Sequence, residues 1–170
     1  MSPHFSPIYT LKNLGASIEI LAVPPKASFE VGGVQVRGVA NPHGTTTALA
    51  YRLEENGRSI VYASDAGYPP EGPSQEALDL YRDADLFIHD CTYSPEDRAQ
   101  RLSRGFSSFV EAADACLRAK ARHLVMFHYD QDYSDDVVDQ LHARCRSELD
   151  ARGGGACKLT AACEGQTLRV

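Results

Sequence analysis

Residues 48–65 read ALAYRLEENGRSIVYASD, and their pattern decides the fold. Apolar residues alternate with polar ones on both sides of Asn56-Gly57. That dipeptide tolerates the positive φ angles of a two-residue turn, so the stretch reads as two antiparallel strands, the clearest hairpin in the chain. Upstream, FEVGGVQVRGV (29–39) repeats the pattern around Gly32-Gly33 and predicts a second hairpin. Before it, SIEILAV (17–23) predicts a strand stopped by Pro24-Pro25.

Downstream the periodicity changes. After Asp65 a turn-rich loop, AGYPPEGPS, leads to a short helix over 74–83 that begins at Ser74 and Glu76. DLFIHD (85–90) is a short buried strand. Ser108 with Glu111 forms a capping box, and Phe109, Ala112, Ala113, Cys116 and Leu117 follow as one apolar stripe at helical spacing. HLVMFH (123–128) is a further strand. Ser134 caps a last helix, with Asp135 and Asp136 complementing its dipole. Val138, Leu141, Cys145 and Leu149 form that helix's buried face, and Gly153 to Gly155 end it. Residues 157–163 and 166–170 predict a closing hairpin turning at Glu164-Gly165. Antiparallel strands followed by alternating helices and strands define an α/β (α+β) fold, a mixed sheet with helices packed on it.

The chain has 170 residues, 43% hydrophobic and 24% charged, which suits one domain over 1–170 with a real core. A net charge of -6 argues against broad binding to nucleic acid or anionic membranes. No run reaches the roughly 18 apolar residues of a membrane span, and no leader pattern opens the chain. Cys91, Cys116, Cys145, Cys157 and Cys163 are dispersed without a C-x-x-C pair, the pattern of reduced cytoplasmic thiols. Cys116 and Cys145 fall on apolar helix faces, where packing is their expected role.

Three possible metal ligands stand where strand patterns give way to turns: His43 in NPHG, Asp65 after SIVYAS, and His128 after HLVMF. Two histidines and one carboxylate suffice for one ion with an open position. His89 and Asp90 end another strand. The acidic run Asp130, Asp132, Asp135 and Asp136 lacks the spacing of a calcium loop and reads as a solvated loop and helix cap. Tyr129 and Tyr133 are read either as lining a cleft or as covering the sheet edge. His123 and His142 read as surface or helix-flank residues, and His4 has no ligand-like neighbour.

Taken in order, HGTTTALAYRLE, GRSIVYASD, ADLFIHDCTY and GFSSFVEAADACLRAKARHLVMFH resemble the C-terminal half of a metallo-β-lactamase-fold hydrolase of the ribonuclease Z and phosphodiesterase branch. The opening FSPIYTLKNLG is similar to that family's middle segment. The resemblance implies part of an αββα sandwich. It implies metal ligation by His43, Asp65 and His128, with Asp65 bridging two ions. Asp90 matches an acidic position that supports a catalytic histidine, so Asp65 and Asp90 are the implied catalytic carboxylates; with Phe106 opposite, the residues themselves favour Asp90 as a hydrogen-bonding carboxylate at a strand end. Zinc, or manganese or iron, is the implied cofactor, as one ion or none in the isolated chain. The implied substrate is a small-molecule or nucleotide phosphodiester.

Three departures from the family stand out. Its His-x-His-x-Asp-His cluster does not occur in these 170 residues. Its Gly-His-Ser-Thr is here Gly105-Phe106-Ser107-Ser108, and phenylalanine neither ligates metal nor transfers a proton. Asn-Pro-His-Gly replaces the commoner Asn-His-Pro-Gly, which displaces His43 by one position. The expectation is a truncated or split domain, inactive alone or completed by a chain carrying the N-terminal half. A homo-oligomer is also expected, through the apolar face the missing half leaves open. The alternative is a non-enzymatic binding or regulatory module on the same scaffold.

Overall fold

Asn56 and Gly57 both hold positive φ, 50° and 76°, and turn the chain between two strands. The computed structural model describes Ile18 and residues 27–170; apart from Ile18, the strand expected over 17–23 lies outside the described residues, as does His4. Strand β1 (Ser28–Val31) pairs antiparallel with β2 (Val34–His43) across Gly32-Gly33. Strand β2 pairs antiparallel with β3 (Thr46–Glu55), and β3 with β4 (Arg58–Ala63). From β4 onward the sheet is parallel. Helix α1 (Gln75–Tyr81) crosses from β4 to β5 (Leu86–Asp90). Helices α2 (Pro95–Gln100) and α3 (Phe109–Ala119) lead to β6 (His123–Phe127), and α4 (Asp135–Ala151) leads to β7 (Lys158–Ala161). A parallel neighbour needs a crossover of helical length, which explains why helices appear where tight turns stop. The seven strands lie in sequential order, β1 to β7.

Helix ends follow the local chemistry. Ser74 Oγ accepts from Ala77 N at 3.1 Å and starts α1. Ser108 and Glu111 form the expected capping box of α3. Ser134 occupies the N-cap of α4, but its hydroxyl makes no capping bond; its carbonyl accepts from Val137 and Val138 instead. Helix α2 has no counterpart among the expected elements. It lacks an apolar stripe and is set by Ser94 as N-cap, Pro95 in its first turn, and Glu96 and Asp97 at the dipole's positive end.

The expected closing hairpin does not form. Only β7 is a strand, parallel to β6, and residues 162–170 join no ladder. Val170 instead lines a surface pocket together with Val34, Leu53 and Ile60.

Helices α1, α3 and α4 cover one face of the sheet. Val39, Ala50, Val61, Phe87, Leu124 and Met126 meet Leu78, Tyr81, Ala112, Cys116, Leu141 and Leu149 in one buried cluster. Arg52 also points to this side, and its Nη1 donates to Leu80 O and Arg82 O, satisfying carbonyls at the end of α1. The other face leaves Leu49 and Tyr62 exposed, 44% and 37%. No described helix is long and apolar enough to cross a membrane.

Candidate metal centre

The C-terminal ends of the parallel strands, with the β2–β3 turn, gather the expected ligands at one edge. Asp65 follows β4 and His128 follows β6. Both hold left-handed backbone, φ 56° and 58°, a conformation unfavourable for L-residues and concentrated at functional sites. Their side chains meet: His128 Nε2 lies 3.4 Å from Asp65 Oδ1, with 39% and 42% of the side chains exposed.

The hydrogen bonds fix which nitrogen is free. Thr92 Oγ1 donates to the His128 carbonyl at 2.8 Å and therefore accepts from Nδ1 at 3.1 Å. His128 Nε2 is thereby the nitrogen turned toward the Asp65 carboxylate, in a contact that joins a nitrogen and an oxygen donor at the strand ends. Their 3.4 Å separation matches the span of two ligands about 2.1 Å from a tetrahedral ion. At His43, Nδ1 donates to Gly105 O at 2.8 Å, so Nε2 is the nitrogen that this bond does not engage. An imidazole whose other nitrogen is tied to an oxygen is the usual arrangement of a metal-binding histidine.

His43 does not join the pair. Phe106 packs against its ring at 4.9 Å and against the His128 ring at 5.2 Å, and it also reaches Tyr93 at 6.1 Å. Among the described residues, no three His, Cys, Asp or Glu side chains come together closely enough to hold a metal ion. Asp65 and His128 bring two metal-type donors together, short of a complete ligand set among the described residues, and His43 lies on the other side of the Phe106 ring.

Asp90 acts through the backbone. It is fully buried; Oδ2 accepts from Ala66 N at 2.7 Å and Oδ1 from Ser107 N at 2.8 Å. Burial raises its carboxyl well above the ordinary range, against those two amide bonds. Asp90 thus clamps the loop after Asp65 to the loop that carries Phe106. Ser107 Oγ donates to Ala66 O across the same seam. Glycines let the backbones touch. A Cβ on Gly67 would meet Gly105 at 2.4 Å, and one on Gly105 would meet Gly44 N at 1.9 Å.

Beneath this edge lies a buried polar chain. Tyr68 Oη bonds His89 Nε2 at 2.9 Å and Tyr81 Oη at 3.1 Å, and Tyr81 exchanges bonds with Asn41. Burial pushes His89 down to about 4. Beside His128, a pocket of about 340 Å³ is lined by Arg101, Arg104, Phe106, Tyr129 and Asp132 among others. Tyr129 lines this pocket, whereas Tyr133 bonds Asp97 and the Ser94 amide. Asp130 pairs with Arg101 at 3.1 Å, and His123 bonds Thr160. Thr92 and the close backbone approach at Gly44, Gly67 and Gly105 shape this edge, and no expectation gave them that part. Their only trace in the sequence is a threonine two residues past a strand-ending aspartate and glycines in three separate turns.

A mixed sheet with helices on one face and metal-type donors at its strand ends is an arrangement that accords with a metallo-β-lactamase fold, which comparison with solved structures establishes. A family model described as the beta-lactamase superfamily domain matches residues 2–129, and the chain belongs to that superfamily. It is 37% identical over 107 residues to a ribonuclease Z of Gemmatimonas aurantiaca, covering 61% of this chain and 32% of that one. It is 31% identical over 97 residues to a ribonuclease BN of Proteus mirabilis, covering 57% and 30%. The chain spans about a third of the length of these curated relatives. Among solved structures, the metallo-beta-lactamase fold protein YhfI from Bacillus subtilis matches with TM-score 0.67 and 18% identity, covering 86% of this chain and 54% of that one. Human tRNase Z, short form, matches with TM-score 0.55 and 20% identity, covering 79% and 42%. A diphosphatase of the PhnP family matches with TM-score 0.61 and 20% identity, covering 88% and 48%. These structural likenesses establish the shared fold.

Proposed function

We propose that this chain carries the C-terminal half of a metal-dependent phosphodiesterase site. Asp65, His128 and, across Phe106, His43 are its ligands, and the remaining donors come from outside these 170 residues. The observation that carries the reading is the Asp65–His128 pair, Oδ1 and Nε2 3.4 Å apart at the ends of two strands. Zinc, manganese or iron fits this nitrogen and oxygen donor set. Such an ion, when bound, supplies hydroxide near neutral pH and positive charge for a phosphoryl oxygen.

This chain's residues position the rest. Thr92 orients His128, Asp90 holds the two loops in register, and Arg104 lines the adjoining pocket, where its charge would attract an anionic substrate. The relatives named ribonuclease Z and ribonuclease BN, and the PhnP-family diphosphatase, support a phosphodiester or phosphoanhydride substrate class. Five free thiols, four of them buried, accord with a reducing cytoplasm.

Phe106 favours a second reading, a binding module that keeps the scaffold, because it packs on both imidazoles and moves no proton. One experiment separates the two. The chain is co-expressed with a polypeptide bearing His-x-His-x-Asp-His, and cleavage of bis(p-nitrophenyl) phosphate is measured with zinc or manganese. A complex whose hydrolysis disappears in Asp65→Ala supports the phosphodiesterase. A stable complex without hydrolysis supports the binding module.

A further inference from the structure

At the opposite edge of the sheet from His128, two thiols face each other. Strands β6 and β7 run parallel with His123 opposite Lys158, so Cys157, just before β7, sits where the strands begin. Cys116 reaches it from α3, with the sulfurs 3.5 Å apart. Both residues are buried, Cys157 retaining 9% exposure. Of the other thiols, Cys145 contacts Phe109 O at 4.0 Å and Cys163 is exposed.

We propose that Cys116 and Cys157 form a peroxide-sensitive dithiol that closes to an intramolecular disulfide, a modification site independent of the metal centre. A disulfide needs sulfurs about 2.05 Å apart, so side-chain rotation and a small approach of α3 to β7 close the gap.

Cys157 is the attacking thiol. The hydrogen bond with Cys116 lowers its pKa, and the Leu124 amide and Arg146 act in the same direction, against burial. Arg146 is held in place by Nη1 to Cys157 O at 2.7 Å and Nη2 to Gly154 O at 3.1 Å. Its Nε is a buried donor without a partner among the described residues. The charge of the Arg146 guanidinium favours the Cys157 thiolate, the species that reacts with peroxide.

The chemistry balances with hydrogen peroxide as oxidant. The Cys157 thiolate attacks one peroxide oxygen, the O–O bond breaks, and the departing hydroxide takes up a proton as water. This leaves a sulfenic acid on Cys157. The Cys116 sulfur then attacks the Cys157 sulfur, the S–O bond breaks, and the hydroxide leaves as water with the Cys116 proton. Two thiols give up two electrons and the peroxide is reduced to two waters. The bond pins α3 to β7 around the segment containing β6 and α4.

The test uses the full chain with Cys163→Ser, which removes the exposed thiol. The protein is treated with stoichiometric hydrogen peroxide, alkylated in denaturant, digested and mapped by mass spectrometry without reductant. The expected result is one peptide pair joining Cys116 to Cys157, released by dithiothreitol and absent in Cys157→Ser, with a melting midpoint several degrees above the reduced form. Full alkylation of both thiols overturns the proposal. So does pairing of either thiol with Cys91 or Cys145, or sulfinic acid on Cys157 beside a free Cys116. The map of the parent chain decides by itself if Cys157→Ser fails to fold.

Discussion

Asp65 Oδ1 and His128 Nε2 face each other across 3.4 Å from two backbones that both adopt positive φ. A left-handed L-residue costs roughly 1–2 kcal/mol, and glycine does not carry that cost. Two such residues side by side at strand ends accord with the proposed ligand role, since strained backbone is concentrated at functional sites. At each position the glycine variant should be more stable than the alanine variant by about 1 kcal/mol, the reverse of the usual order. Urea denaturation of Asp65→Gly against Asp65→Ala, and of His128→Gly against His128→Ala, measures it. Equal or reversed midpoints would remove strain from the account.

Asp90 accepts two backbone amides in a fully buried position. Truncating it leaves Ala66 N and Ser107 N without partners, at roughly 1–3 kcal/mol for each stranded group. Asp90→Ala should therefore lose about 3 kcal/mol or more in urea unfolding. Hydrogen exchange should rise first at Ala66 and Ser107. An unchanged midpoint would show that the clamp holds nothing.

Gly105 combines φ 74° with an approach to Gly44 N that leaves no space for a Cβ. Gly105→Ala should destabilise the fold by more than about 2 kcal/mol and separate His43 from the Phe106 loop. The His43 imidazole resonances, followed by NMR, should shift with it.

His89 gives the pH prediction. It is buried as the neutral imidazole, with its value pushed down to about 4 from 6.5. Between those values the unfolded chain binds a proton that the folded chain does not, so this contribution to stability falls as pH falls. The sign at Asp90 is opposite, because its raised value makes the folded state the proton binder as pH drops. The two neighbours offset each other in the parent chain, and a variant isolates one of them. The cost of His89→Gln in urea unfolding should shrink by about 1.4 kcal/mol per pH unit from 6.5 toward 4. A cost independent of pH would mean that His89 is protonated in the fold.

Much of this fold is legible in the chain because its signals are local. Asn56-Gly57, Gly32-Gly33 and the Ser108–Glu111 box each act within a few residues, and the strands and helices form around them. The closing hairpin misleads because β7 finds a parallel partner in β6, a choice made by packing rather than by the turn at Gly165. Helix α2 lacks periodicity and is marked only by its Ser94-Pro95 start. At the site, the positions of Asp65 and His128 are readable as strand ends. Their pairing depends on register across three strands. The separation of His43 depends on Phe106, which is readable as a residue that cannot ligate but not as a ring packed on both histidines.

Metal content per chain tests the central claim most directly, by elemental analysis of protein purified without chelators or a metal-binding tag. The account predicts zinc, manganese or iron well below one per chain for these 170 residues alone. It predicts a rise to at least one when the His-x-His-x-Asp-His half is co-expressed, and loss of that rise in His128→Ala. Metal that is absent with the complementing half present, or that persists undiminished in His128→Ala, would contradict it.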